Sequence, residues 1–170
     1  MKQKGFIIVI AIALAILGYG AYEYYSRPDG STVERREELL RDTPKGAEWN
    51  ISQEQELEDY LLSSIYCDSK SGIAVFEPIG DGKYKLISRE WRNSEEIIVS
   101  GLPINGEWYD LIWFNGAKTN YAEITYSVSG IENEPILFDT GDMKIICSKA
   151  PAKEYTLTVK YYDDDGNVYE

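Results

Sequence analysis

The chain has 170 residues with 29 acidic side chains, 17 basic ones and no histidine, giving a formal net charge of −12. An acidic chain without a basic stripe excludes nucleic acid, whose binding depends on clustered Lys and Arg neutralising phosphates. The missing histidine excludes Ser-His-Asp and Cys-His nucleophile pairs and removes the commonest metal ligand and neutral-pH general base.

Residues 1–25 read as a membrane anchor with a short basic tail. Lys2 and Lys4 precede eighteen uncharged residues, Gly5 to Tyr22. A helix rises about 1.5 Å per residue, so Phe6 to Tyr25 matches the ~30 Å hydrocarbon core and predicts a single transmembrane helix. Tyr19, Tyr22, Tyr24 and Tyr25 gather at its far end, where amphipathic rings settle at headgroup level. A short basic tail is the usual start of an exported segment, which predicts a single-pass protein of the cell membrane with its C-terminal domain outside. Two other fates share this N-terminus. Gly18 and Gly20 ahead of Ala21 offer a small-x-small site for cleavage of a secretory signal. Lys4-Gly5-Phe6 resembles the cleavage site of prepilins over those residues alone, and the resemblance implies a minor pilin-like subunit. Ile10 stands where pilin-like proteins carry glutamate, and Pro28, Asp29 and Gly30 interrupt the long helix they continue into.

Residues 26–46 read as a charged linker or stalk. Thr32 is placed to cap a short helix through Arg41, with Glu37 and Arg41 at i,i+4 and only Leu39 and Leu40 as an apolar face. Residues 47–170 then form one acidic β-rich domain outside the membrane. Ser52 and Gln55 fit a capping box, and Leu57, Tyr60, Leu61 and Ile65 follow at helical spacing, predicting one amphipathic helix from Ser52 to about Tyr66.

Beyond Gly72 the period changes to two. Tyr155, Leu157, Val159 and Tyr161 alternate with polar neighbours, as do Ile124, Tyr126 and Val128. Asp81-Gly82, Asn105-Gly106, Asn115-Gly116 and Asp165-Gly166 supply turn dipeptides for an antiparallel meander. The expected strands are Gly72 to Pro78, Lys83 to Trp91, Glu96 to Leu102, Glu107 to Phe114, Thr119 to Val128, Ile136 to Asp139, Lys144 to Ser148 and Glu154 to Tyr162. Glu107 to Phe114 has almost no polar face and should sit centrally. The fold class is therefore mainly β, an antiparallel β-sandwich or rolled sheet with one packed amphipathic helix, behind a transmembrane helix and a stalk. Cys67, Trp91 and Cys147 occur in the order found in immunoglobulin domains, but Ile145 stands where a tyrosine corner needs tyrosine.

Carboxylate chemistry survives the lack of histidine, and Glu77, Asp110 and Glu123 lie in strand-like runs where they could face a cleft. No motif names catalysis, a cofactor or a metal. In Asp163-Asp164-Asp165-Gly166-Asn167, setting Gly166 at the sixth place of a calcium loop puts Tyr161, not a carboxylate, first. Cys67 and Cys147 are the only cysteines, and outside the cell a disulfide between them is expected, closing a loop for ~4–5 kcal/mol in the chain-entropy model; the alternative is two buried free thiols acting as small apolar side chains. Trp91, Trp108 and Trp113 are candidate ligand-contact aromatics, since flat faces suit the apolar face of a sugar ring, while their position inside strands favours core packing instead. These features predict a membrane-anchored binding or interaction module for an envelope protein or glycan. The alternatives are a carboxylate-dependent envelope enzyme acting on glycan, or the pilin-like subunit.

Overall fold

The computed structural model describes residues 12, 14–20, 22, 29–41, 47–68, 70–93, 97–114, 120–140 and 145–169. Residues 14–20 are helical and exposed. Among the described residues no helix is long and apolar enough to cross a membrane. The rest of the expected anchor, like the Asn115-Gly116 turn, lies outside them.

The protein is mainly β, built from antiparallel sheets. Twelve strands are described: β1 (Asn50–Leu57), β2 (Tyr60–Cys67), β3 (Lys70–Gly80), β4 (Lys83–Asn93), β5 (Ile97–Ile104), β6 (Glu107–Phe114), β7 (Tyr121–Val128), β8 (Ile131–Glu132), β9 (Ile136–Asp139), β10 (Ile146–Lys149), β11 (Thr156–Tyr162) and β12 (Val168–Tyr169). The first sheet runs β1-β2-β3-β4 and the second β10-β6-β5, so Glu107–Phe114 is central as its composition predicts. The third sheet runs β12-β11-β7-β8, with β9 also paired to β7. Asp81-Gly82 and Asn105-Gly106 take positive φ at both residues, the mirror-image turn that suits strand twist.

The helix expected from Ser52 to about Tyr66 is instead the β1–β2 hairpin. Its apolar residues mimic a helical stripe because β2 is buried on both faces and so lacks alternation. Leu61, Ile65 and Cys67 point to one side and Leu62 to the other. Ser52 caps nothing; the register shifts between Ile51 and Gln53, and the Ser52 hydroxyl donates to the Ser64 carbonyl. The turn carries neither glycine nor asparagine. Glu58 takes φ 54° there, at a cost of roughly 1–2 kcal/mol for an L-residue, and its carboxylate is held by Asn105 Nδ2 and the Tyr109 hydroxyl.

The three sheets stack in layers. Leu62, Ile73 and Val75 of the first meet Ile98, Leu102, Ile104, Leu111 and Trp113 of the second. These two sheets are also tied at both edges, by Ser100 Oγ donating to Glu90 and by Gln55 Nε2 donating to the Ile145 carbonyl, each at 2.7 Å. The opposite face of the second sheet presents Ile112 and Ile146 to Ala122, Ile124, Tyr126 and Tyr161 of the third. A two-layer sandwich is thus extended to three because both faces of β6 are apolar.

The described part of the expected stalk, residues 29–41, packs on the outer face of the first sheet. Thr32 does cap a helix, Val33–Leu40. Leu40 is fully buried beside Trp49, Ala74 and Phe76. Arg36 forms a buried ion pair with Glu54 and donates Nη1 to the Gly30 carbonyl at 2.6 Å, while Arg89 Nη1 reaches the Leu40 carbonyl at 2.6 Å. Glu37 accepts from the Ile51 amide rather than pairing with Arg41. Gly30 fits because its amide donates to the Tyr84 carbonyl at 3.0 Å, and a Cβ there would sit 2.6 Å from that oxygen. Charge counting hides this docking, since Arg36 is buried through its partners and not through its own polarity.

Cys67 and Cys147 are free. Cys67 faces the docked helix with Leu61 and Ile65, whereas Cys147 lies on the other side of the first sheet, where its sulfur accepts from Gln55 Nε2. The sheet stands between them, so the expected disulfide does not form.

Candidate functional site

A cleft of about 600 Å³ opens where the second and third sheets meet. It is lined by Gly106, Glu107 and Trp108 together with Lys149, Lys153 and Tyr155. The ladder between β6 and β10 builds it: Lys149 pairs with Tyr109, and the Ala150 amide donates to the Trp108 carbonyl at 2.9 Å.

Trp108 is 47 % exposed, unusual for so large an apolar group in a strand. Its indole lies across Gly101 of β5; a Cβ at Gly101 would come within 2.3 Å of the ring. The glycine thus acts as a seat that lets the indole lie close to the sheet at the cleft wall.

Behind the cleft sits a buried carboxylate. Asp110, 4 % exposed, accepts from the Tyr126 hydroxyl at 2.9 Å and the Tyr155 hydroxyl at 2.6 Å. Burial, and then the bond to Asp110, push the Tyr155 phenol up to about 12. Burial also raises Tyr126 and Tyr161, and raises the Cys147 thiol to about 11. A raised phenol favours folding while neutral, and unfolded tyrosine ionises near about pH 10. Its contribution is whole below that pH and is lost as pH rises through the folded value. The urea midpoint should therefore fall between about pH 10 and 12, and Tyr155→Phe should flatten part of that fall. A pH series of urea unfolding curves measures this.

At the mouth, Lys149 Nζ pairs with Glu107 at 2.5 Å. Lys153 is exposed and has no ion-pair partner among the described residues. The wall is therefore aromatic with one uncompensated cation at its rim.

The three candidate tryptophans are not brought together. Trp91 packs against Trp49, ring centroids 6.3 Å apart, with Lys70 Nζ 4.4 Å over its ring. Trp113 is buried between the first two sheets, with its indole N–H unpartnered. Only Trp108 reaches the cleft. The candidate carboxylates also separate. Glu77 pairs with Lys85 at 2.5 Å, which holds its carboxyl below the usual range. Asp110 is enclosed by tyrosines, and Glu123 lies by Lys160 and Tyr162 in the third sheet. Among the described residues no group of three or more Cys, Asp or Glu could hold a metal ion. Tyr155, Lys149 and Lys153 are site residues that spacing does not reveal, because the ladder to β6 places Lys149 and a long-range bond to Asp110 places Tyr155.

Comparisons with protein-family models, with curated proteins and with solved structures find no match.

Proposed function

We propose that the chain is a single-pass membrane-anchored binding module whose domain lies outside the cytoplasm and whose ligand is held in the Trp108 cleft. The observation that carries the reading is the half-exposed Trp108 indole, seated on Gly101 beside an open cleft that the anchored Tyr155 also lines. A concave site with a few convergent polar groups is the usual form of a ligand pocket. The uncharged stretch from Gly5 to Tyr22 supports the anchor.

The cleft is tested with Gly101→Ala. The added methyl must displace the indole, and since Trp108 is half exposed the fold should lose only about 1–3 kcal/mol. Ligands captured by the full chain from an array of envelope glycans should be lost in this variant; capture that survives it would place binding elsewhere. Topology is tested by trypsin on intact cells. A soluble fragment should be released that still contains Val33–Leu40, because the docked helix shields Arg36. Cleavage throughout Arg35 to Arg41 would mean an undocked linker, and full protection until the membrane is opened would put the domain inside.

A further inference from the structure

We propose that the cleft takes a sugar ring bearing an anionic group, presented from the surface of the membrane in which the chain is anchored. This rests on the proposed binding role of the cleft and adds the chemistry and source of its ligand.

The ring follows from the wall. An indole face with a tyrosine hydrogen-bonded beside it suits a pyranose, which has an apolar face and a polar edge, and the Lys149–Glu107 pair supplies donors and acceptors to that edge. The cleft is within the ~300–1,000 Å³ range of small-ligand sites. The negative group follows from Lys153: Glu107 neutralises Lys149, so the rim keeps one positive charge. On a chain of net charge −12 that cation is a local exception, and the acidic turn residues Glu58, Asp59 and Asp81 repel an anion from the neighbouring surface.

The source follows from where the chain enters the domain. The turns Glu58-Asp59 and Asn105-Gly106 are joined by Asn105 Nδ2 and Glu58. Glu58, Asp59, Gly82 and Tyr84 line one shallow cavity, which adds the Asp81-Gly82 turn to the same end. Gly30 donates to the Tyr84 carbonyl there. The first docked residue after the anchor thus lies at the end that carries Gly106 and Glu107 of the cleft. Five peptide steps separate Tyr25 from Gly30, a reach of at most about 18 Å. Gly30 lies outside the first sheet and the cleft beyond the second, about 20 Å across at the usual spacing of packed sheets, so a headgroup of that membrane is the ligand source nearest to this end of the domain.

The test uses the full chain in phosphatidylcholine nanodiscs, read by tryptophan fluorescence with Trp108→Phe as the reference for the Trp108 signal. A glucuronate trisaccharide should bind about fivefold tighter than the matching glucose trisaccharide, the scale of one exposed ion pair. Lys153→Gln, which keeps the length of the side chain and removes its charge, should abolish that preference, so that the two trisaccharides bind this variant equally. Nanodiscs containing glucuronosyl diacylglycerol should raise the apparent Kd of the free trisaccharide at least about tenfold, because a tethered headgroup reaches an effective concentration near millimolar. Equal binding of the two sugars overturns the anionic assignment while leaving the cleft as a sugar site. Free binding without competition from the glycolipid overturns the membrane source. Failure of both sugars overturns the ligand class, and the Gly101→Ala capture experiment separately decides whether the cleft binds anything. Binding to Trp108→Phe is read by titration calorimetry, and a Kd equal to that of the unchanged chain overturns the site itself.

Discussion

Arg36→Ala lowers the free energy of unfolding by about 3–5 kcal/mol, the cost of leaving one member of a buried ion pair without its partner. The Arg36 and Glu54 side chains are 7 % and 18 % exposed, so water replaces little of what the substitution removes. Arg36 also binds the Gly30 carbonyl and lies 5.9 Å over the Tyr84 ring, and Glu54 holds the Ser63 hydroxyl at 2.8 Å. Losing one guanidinium therefore strands a buried carboxylate and loosens residues 29–41 as a unit. Arg35→Ala is the control, because its pair with Glu38 has side chains 56 % and 47 % exposed and should cost under about 1 kcal/mol. Urea unfolding of the chain from Asp29 onward measures both. Arg36→Met combined with Glu54→Leu should recover most of the loss, since an apolar pair of similar volume removes the stranded charge. Equal, small effects of Arg35→Ala and Arg36→Ala would show that the helix does not dock in solution.

The docked helix makes residues 29–41 part of the domain and not of a stalk. With Leu40 buried and Gly30 bonded to Tyr84, the chain enters the domain at its turn-bearing end.

Sequence patterning recovered most of the strands, because alternation and turn dipeptides are local signals. Glu107–Phe114 and Ile136–Asp139 match the expected limits, and Lys83, Val128 and Tyr162 end their strands where the pattern places them. Local signals fail where burial is two-sided. β2 has buried residues on both faces, so its pattern falls between a strand and a helix, and Glu58 turns the chain without the glycine that marks other hairpins. Long-range facts were silent too. The side of the sheet taken by Cys67 depends on the register of β2, and the burial of Arg36 depends on a glutamate eighteen residues away. In the site, Trp108 was legible as a candidate because indoles offer flat faces, but its seat is Gly101 on β5, which pairs with Asp110 and not with Trp108 itself. Tyr155 read only as a strand residue. Its hydroxyl meets Asp110 across forty-five residues, a distance no motif spans.

Asp110→Ala should destabilise the fold by about 2–4 kcal/mol and empty the cleft of its ligand together. Two hydroxyls lose a charged acceptor, and an unsatisfied buried donor costs about 1–3 kcal/mol. Tyr126 lies 3 % exposed and cannot turn to water, whereas Tyr155 is half-buried at the cleft wall and can. Most of the stability loss therefore falls on Tyr126, and most of the binding loss on Tyr155, whose ring is no longer held beside Trp108. Single changes separate the two. Tyr126→Phe should cost stability with little effect on ligand affinity, while Tyr155→Phe should weaken binding more than folding. Asp110→Asn keeps one acceptor oxygen and should fall between wild type and Asp110→Ala in both measurements. Urea unfolding and ligand titration of the four variants give the comparison. A stabilised Asp110→Ala protein would mean that desolvating the carboxylate outweighs its two hydrogen bonds, and that Asp110 is retained at this position for the sake of the cleft.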